Sequence, residues 1–291
     1  MNNFCIRRYT LAALLVGAGA EPGCNLVFEQ SKSTSTDARI SADGTITTDG
    51  KFLPGPVFRN AEDTGLQGGD PTFGADQNEI WYVLPGTPSN LQQATRVKEA
   101  TAFINLAPQA GLNSTFNEFD PAFTADGTLI AFASNRDAIN KVYFARRPAS
   151  GAVFEPPAAS NVTLSSSFVG FDISKDGLKL YVIDSANLLV YDRSAPGDKF
   201  NLPTLSISLP TSAPGNPSVS SDEKEILFNQ PAGSGRIFHA RLSADGKSYE
   251  NPTALVVGEP CNNVFEDADL SADAMTVVYN CDGFIHIARR L

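Results

Sequence analysis

Carboxylates are the side chains of this 291-residue chain with the clearest capacity for chemistry. The stretch "DPAFTADGTLIAFASNR", residues 120 to 136, contains Asp120 and Asp126, six residues apart. Two carboxylates held about 5 to 10 Å apart can cleave a glycosidic bond. Aspartate before glycine also forms tight turns, because glycine accepts a positive φ and aspartate tolerates it. Whether the two aspartates are a working pair or turn residues depends on the elements that carry them.

Other motifs for catalysis or metal binding are absent from the sequence. It has no G-x-S-x-G, H-E-x-x-H, C-x-x-C, Walker or EF-hand motif. The two histidines, His239 and His286, match aromatic and aliphatic residues in related segments, which indicates structural positions. We therefore expect no catalytic residue, no metal and no cofactor. The net charge of −10, without a basic stripe, argues against nucleic-acid binding.

An internal repeat organises most of the chain. The opening stretch recurs as "DPTFGADQNEIWYV", "GFDISKDGLKLYVI", "NPSVSSDEKEILFN" and "DADLSADAMTVVYN", with the second aspartate spaced 46 to 51 residues apart. Each copy predicts a short strand, a turn at the aspartate and a β-rich second strand. A third strand ends in arginine in four copies, and a weaker fourth strand precedes the next copy. Those arginines are Arg146, Arg193, Arg241 and Arg289, and Arg96 is the expected counterpart in the first copy.

Four antiparallel strands repeated at this interval predict an all-β fold, a β-propeller of four-stranded blades. The last copy stops after its third strand, and "KFLPGPVFRN" (51 to 60) upstream of the first copy is strand-like. We therefore predict five blades within residues 52–291, closed by an N-terminal strand that completes the last blade. A sixth blade is the alternative, because Asp37 and Asp43 repeat the aspartate spacing.

The repeat resembles a known family. "DPAFTADGTLIAFASNR" followed by "KVYFARR" is similar to the propeller repeat of TolB-like, WD-repeat-like proteins of the bacterial envelope. That family commonly has proline before the turn aspartate, where this chain has Ala75, Ala125, Lys175, Ser221 and Ala272. The resemblance implies a propeller fold and an envelope location, and it leaves the activity open, because such repeats serve binding proteins and enzymes alike.

Candidate binding residues fall where first strands begin and second strands end, since both open on one face of a propeller. They form a mainly acidic set at the channel mouth: Asp70, Glu118, Asp120, Arg136, Asp172, Asp267 and Asp269. Trp81 and Tyr82 offer a sugar-stacking platform, but their strand position favours packing between blades.

The N-terminus predicts export. Arg7 and Arg8 precede a ten-residue apolar run, which is too short to span a bilayer and is typical of a signal peptide, residues 1–20. Cleavage before Cys24 would instead remove residues 1–23 and make a lipoprotein, with Cys24 as the lipidation candidate. Residues 21–51, rich in serine and threonine, are interpreted as a flexible tether. Cys261 and Cys281 are placed to form a disulfide in an oxidising compartment.

Three functions remain after the sequence is considered. We expect a monomeric, exported protein, periplasmic or anchored to the outer membrane, that binds an envelope protein or surface ligand without catalysis. Its contact with a membrane would come only through a lipid at Cys24. The alternatives are a carbohydrate-active enzyme, a glycosidase or lyase using carboxylates at the channel mouth, and a structural surface protein.

Overall fold

The fold is taken from a computed structural model that describes residues 56–98, 102–109, 111–185, 187–209, 214–230, 236–257, 261 and 265–291. The signal peptide, the tether, Cys24 and the pair Asp37 and Asp43 lie outside the described residues. Among the residues described, every named strand belongs to one of five four-stranded antiparallel sheets. No helix in these ranges combines the length and apolarity needed to cross a bilayer.

Each sheet is one propeller blade, ordered from the central channel to the rim. The first strand of the described residues is β1 (Phe58–Gln67), which joins the last blade. Blade 1 contains β2 (Gly69–Phe73), β3 (Glu79–Leu84), β4 (Asn90–Thr95) and β5 (Ile104–Asn105). Blade 2 contains β6 (Glu118–Phe123), β7 (Leu129–Ser134), β8 (Lys141–Arg146) and β9 (Ala158–Thr163). Blade 3 contains β10 (Phe168–Ile173), β11 (Lys179–Asp184), β12 (Asn187–Asp192) and β13 (Leu205–Ser208).

The remaining two blades complete the ring. Blade 4 contains β14 (Gly215–Val219), β15 (Glu225–Gln230), β16 (Arg236–Leu242) and β17 (Tyr249–Ala254). Blade 5 contains β18 (Phe265–Leu270), β19 (Thr276–Cys281) and β20 (Phe284–Arg290), with β1 as its outer strand. The inner strands of successive blades contact one another, and those of blades 5 and 1 do so as well. The predicted five-bladed propeller is confirmed.

Blade 5 is closed in the predicted way, by a strand from before the first repeat. β1 pairs antiparallel with β20, from Phe58 opposite Arg290 to Gln67 opposite Phe284. The strand lies several residues later than the strand-like stretch 51 to 60. Its sequence is mostly polar because it forms a rim with one exposed side, so hydrophobic alternation marks it poorly.

The ring has two faces. The upper face is where first strands begin, second strands end and third strands begin. The lower face carries the hairpins between first and second strands and the ends of third strands, because Thr95 pairs with Glu79, Arg146 with Leu129 and Asp192 with Lys179.

Hydrophobic side chains fill the five spaces between neighbouring blades. One cluster between blades 1 and 2 contains Trp81, Phe123 and Phe154, with the Trp81 ring centre 5.7 Å from each phenylalanine ring. Trp81 and Tyr82 are both about fully buried, at 1% exposure. They therefore pack between blades, as their strand position favoured, and offer no open stacking platform.

An arginine at the end of the third strand in blades 1, 2, 3 and 5 contacts the preceding blade, and its repeat position differs from the predicted one in blades 2 and 5. Blade 4 has Leu242 at this position, and the Leu242 N–H donates to the Lys224 carbonyl. Backbone N–H groups of Arg96, Arg147, Arg193 and Arg290 donate to equivalent hairpin carbonyls at 2.8 to 2.9 Å. Arg147 and Arg290, and not Arg146 and Arg289, are therefore the counterparts of Arg96. Two consecutive arginines end the third strand in blades 2 and 5, and strand alternation turns only the second toward the preceding blade.

Candidate functional site

In blades 1, 2, 4 and 5, one residue from the start of each first strand lines the upper end of the channel. With Gly170, which holds the same repeat position in blade 3, we call these five positions the first ring: Asp70, Asp120, Gly170, Asn216 and Asp267. The four non-glycine members have φ between 41° and 53°, a left-handed conformation that aspartate and asparagine tolerate best. The register of each first strand shifts at or beside this residue, which marks a β-bulge. The bulge turns the side chains toward the channel.

Gly170 shows why the ring cannot be occupied by five large side chains. Its φ is 150°, and a Cβ atom built there would lie 2.6 Å from the Asn216 side-chain oxygen. Blade 3 therefore contributes backbone only, and this leaves room for its neighbours. The ring consequently has three carboxylates, one amide and one gap.

First-ring carboxylates also link neighbouring blades. Asp267 Oδ2 accepts a hydrogen bond from the Asp70 N–H at 3.4 Å, and Asp70 Oδ2 accepts one from the Asp120 N–H at 3.4 Å. Asp267 Oδ1 accepts from the Asn229 amide at 3.0 Å and from the Asn216 amide. The acidic mouth is thus held in shape by the groups that give it charge.

Two residues deeper, the second ring consists of Thr72, Ala122, Asp172, Ser218 and Asp269. Three of its side chains accept hydrogen bonds from the next blade's backbone. Asp172 accepts from the Val219 N–H at 2.8 Å, Ser218 from the Leu270 N–H at 2.9 Å and Asp269 from the Phe73 N–H at 3.1 Å. These bonds join inner strands that do not pair with one another.

Lys175 neutralises the second ring from below. It lies in the blade 3 hairpin, its side chain is 9% exposed, and its Nζ is 3.7 Å from Asp269 Oδ1. Because Asp172 belongs to blade 3 and Asp269 to blade 5, which are not neighbours, the ammonium group must lie in the channel. Burial raises the pKa of Asp172 above its usual value despite the Lys175 charge, and the nearby Asp269 charge adds to the rise. Burial alone would lower the pKa of Lys175, but the Asp269 and Asp172 charges raise it.

The seven predicted site residues divide into two groups. Five of them line the channel: Asp70, Asp120, Asp172, Asp267 and Asp269. Glu118 and Arg136 form a separate ion pair at 2.9 Å, in which Glu118 is fully buried and also accepts from Ser114 and Ser134. The Arg136 guanidinium lies over the Tyr143 ring at 4.8 Å. This pair joins the loop before blade 2 to that blade.

Lys175 and Asn216 were not predicted as site residues. The sequence did contain a signal for Lys175, because the other four copies have alanine or serine at that hairpin position. Asn216 could have been found by aligning the first residue after each upper loop across the five copies. That position holds Asp, Asp, Gly, Asn and Asp in turn.

The open end of the channel can receive a cationic group. Residues of both rings line a small open depression of about 40 Å³. Within the described ranges, no group of three or more His, Cys, Asp or Glu side chains is arranged to hold a metal ion. The acidic lining of Asp70, Asp120 and Asp267 suits a ligand that approaches with one positive group, such as an ammonium or guanidinium.

Comparison with known proteins finds solved structures of low similarity and no matching family model or curated sequence. Among solved structures, TolB from Acinetobacter baumannii is 15% identical with a TM-score of 0.41, over 76% of this chain and 54% of that chain. The chain thus spans about half the length of that TolB chain.

Two further solved structures are similar over comparable lengths. The gluconolactonase XC5397 from Xanthomonas campestris is 13% identical with a TM-score of 0.48, over 76% of this chain and 71% of that chain. The β-propeller domain of Cps50 (Swd1) from Myceliophteria thermophila is 9% identical with a TM-score of 0.40, over 74% and 62%. At these values the likeness carries no argument about function. The chain is a five-bladed β-propeller with TolB-like and WD-repeat-like structures among its neighbours.

Proposed function

We propose that this propeller is a non-catalytic binding module of an exported protein, and that its partner places a cationic group at the first ring. The observation that carries the proposal is the convergence of Asp70, Asp120 and Asp267 around one open depression. Three carboxylates on one small ring give a negative potential that favours a cation and speeds its encounter.

Binding is favoured over catalysis by the way the deeper acids are used. Asp172 and Asp269 share the buried Lys175 charge and accept backbone hydrogen bonds from neighbouring blades. Glu118 is committed to Arg136 away from the channel. A glycosidase needs two carboxyl groups flanking a substrate bond, and these acids face protein groups.

Export is supported by the pair Cys261 and Cys281, which form a disulfide with Cα atoms 5.4 Å apart. Disulfides persist in oxidising compartments and are rare in reducing ones. Together with the apolar N-terminal run, this favours an envelope location. The mass of the mature N-terminus, measured from native membranes, would show cleavage after residue 20 or a lipid on Cys24.

The test of binding is zero-length carbodiimide crosslinking in native envelopes, because this reagent joins carboxylates directly to amines. We expect peptides that contain Asp70, Asp120 or Asp267 to be joined to a lysine of a partner protein. The double variant Asp70→Asn, Asp120→Asn should lose the crosslinks at both positions, give a lower yield at Asp267 because the partner binds more weakly, and remain folded, since Asn216 already occupies the same position in blade 4. Asp137→Asn, an exposed acid outside the ring, is the matched control.

Two results would contradict the proposal. Crosslinks of equal yield in the double variant would show that the partner binds elsewhere. Turnover of a glycan panel that depends on Asp120 would favour the carbohydrate-active enzyme instead.

A further inference from the structure

Three loops on the upper face of blades 1 and 2 are joined to one another. They are residues 85–89 after β3, 111–117 before β6 and 135–140 after β7. The Ser89 N–H donates to Asn117 Oδ1 at 3.0 Å, and the Asn117 N–H donates to Asn135 Oδ1 at 2.9 Å. Because the middle loop is hydrogen-bonded to both of the others, we call the three loops together the blade 1–2 ridge.

The ion pair of Glu118 with Arg136 holds this ridge from inside. Glu118 is fully buried and accepts from Arg136 at 2.9 Å and from the Ser114 hydroxyl at 2.6 Å. The Ser114 hydroxyl oxygen in turn accepts from the Phe116 N–H at 3.1 Å. Loops that are already ordered in this way lose little conformational entropy when a partner binds.

Large apolar side chains are exposed on the ridge. Ile139 is 49% exposed, Phe116 is 46% exposed, and Leu84, at the end of β3 where the first loop begins, is 38% exposed. Asp120 of the first ring follows Phe116 by four residues, so at most about 14 Å of chain separates their Cα atoms. The ridge therefore borders the acidic mouth, and one ligand can contact both.

Charge on the upper face is mainly negative. Its described residues include eight acids and three cations, which are Asp70, Glu118, Asp120, Asp137, Asp184, Glu266, Asp267 and Asp282, and Arg136, Lys141 and Arg236. Two of these cations are paired with acids of the same face, Arg136 with Glu118 at 2.9 Å and Lys141 with Asp137 at 3.0 Å. The face therefore attracts a basic partner, and it repels both an anionic membrane and the upper face of a second copy.

We propose that the blade 1–2 ridge and the first ring together dock a protein segment in which a lysine or arginine lies beside large apolar side chains. The cationic side chain enters the first ring, and the apolar ones pack on Leu84, Phe116 and Ile139. Apolar contacts beside charged ones are typical of protein interfaces. The inference rests on the proposed function for the cationic group, and it adds the apolar part of the surface and the chemistry of the partner.

The test uses fluorescein-labelled peptides of about twelve residues, whose binding to the mature protein is measured by fluorescence anisotropy. One peptide is built from lysine and leucine, a second from lysine and serine, and a third from glutamate and leucine. We expect the lysine–leucine peptide to bind at least about tenfold more tightly than the lysine–serine peptide, because its apolar side chains leave water on the ridge. The glutamate–leucine peptide should not bind, because the face repels it.

A double variant of the ridge tests the apolar contacts. Phe116→Ser, Ile139→Ser should bind the two lysine peptides with nearly equal affinity. The matched control on the lower face, Val153→Ser, Leu202→Ser, should keep the preference of the parent for leucine, although its side chains are more exposed. Equal urea midpoints would show that the variants are folded, and the single variant Leu84→Ser should reduce the preference partway if the double variant is unstable.

Several outcomes would overturn the inference. They are a parent without a preference for leucine, a preference that survives in Phe116→Ser, Ile139→Ser, and a preference that falls equally in the lower-face control. A dimer of the parent that is lost in the ridge variant, seen by sedimentation, would assign the ridge to a second copy instead.

The variant Asp70→Asn, Asp120→Asn separates this inference from the proposed function. It should weaken the binding of both lysine peptides together and keep the preference for leucine. If it binds them as tightly as the parent does, the proposed function fails, while the leucine preference still measures the ridge by itself.

Discussion

At the scale of single residues, the arginine at one repeat position is buried by different contacts in different blades. Arg147 is fully buried, and its two terminal nitrogens lie 2.9 Å from the two carboxylate oxygens of Glu79 in blade 1. Arg193 occupies the same position in blade 3, but Leu129 replaces the glutamate, and the guanidinium lies between the Phe144 and Phe200 rings at 4.9 and 4.5 Å. Burial lowers the pKa of Arg193 to about 10. The repeat predicted the arginines, and the neighbouring blade determines what they contact.

The Glu79 ion pair gives a prediction about stability. Glu79→Gln would leave the Arg147 charge buried without its counter-charge, while the volume of the side chain is kept. Breaking a buried pair in this way costs about 3 kcal/mol of unfolding free energy. Urea denaturation should show the loss, and Asp137→Asn, which removes an exposed pair with Lys141, should leave the midpoint unchanged. A midpoint that stays unchanged in Glu79→Gln as well would show that Arg147 finds another partner.

At the scale of elements, the last blade is assembled from both ends of the described chain and is also crosslinked. Cys281 ends β19, and Cys261 precedes β18, whose Phe265 packs edge-on against Tyr279 with ring centres 5.0 Å apart. The disulfide therefore ties the loop from blade 4 to the strand pair that also receives β1. This loop leads directly into Asp267 of the first ring.

Removing the crosslink should weaken the last blade. The disulfide closes a segment of 20 residues, for which chain entropy predicts a loss of about 3 kcal/mol on reduction. The double variant Cys261→Ser, Cys281→Ser should lower the unfolding free energy, measured by urea denaturation, by the same amount. Dithiothreitol should then have no further effect on the variant. Amide exchange should rise first in β18, β19 and β1. A rise in amide exchange of equal size in all five blades would contradict a local role of the disulfide.

At the scale of the whole molecule, buried titratable groups make stability depend on pH in opposing directions. Burial lowers the pKa of His239 to about 4. Between pH 6.5 and about 4, His239 is therefore protonated in the unfolded chain but neutral in the folded chain. Burial would raise the pKa of Glu79, but hydrogen bonds from Arg147 and Trp81 and the Arg147 charge hold it below 4.5. Both groups therefore lower the free energy of unfolding as pH falls. His239 does so below pH 6.5, and Glu79 does so below pH 4.5. Asp172, with its raised pKa, acts oppositely and removes stability as pH rises above 3.8.

His239 can be separated from the carboxylates by its pH window. His239→Phe should be tolerated, because Phe144 occupies the equivalent strand position in blade 2. The unfolding free energy of the variant should fall less steeply than that of the parent between pH 6.5 and 4.5. Denaturation series at several pH values would measure both slopes. Parallel slopes would mean that His239 gains its proton in the folded state as well.

The sequence allowed the ring to be predicted more completely than its chemistry. Five copies at regular spacing specify five blades, because each copy contains the strands and the hairpin aspartate of one blade. The bulges that place Asp70, Asp120, Asn216 and Asp267 in one ring depend on register, which spacing along the chain does not reveal. The ion pair of Glu118 with Arg136 lies within blade 2 and depends on contacts with the loop that carries Ser114, which the sequence does not reveal, so its members looked like channel residues from sequence.

Of the two aspartates in "DPAFTADGTLIAFASNR", Asp126 holds its hairpin through the Thr128 N–H and hydroxyl, and Asp120 belongs to the first ring. Asp120 lies near the start of β6, and Asp126 lies in the hairpin just after β6 ends. A shared catalytic role would require them at one end.

Lys175 has a consequence for what the channel can admit. Its side chain crosses from blade 3 toward blade 5 beneath Asp172 and Asp269, which gives the opening a floor. A polymer therefore could not pass through the channel at this level. A ligand that binds at the first ring, as proposed, would enter and leave by the upper face, and Lys175 would limit how deeply it reaches.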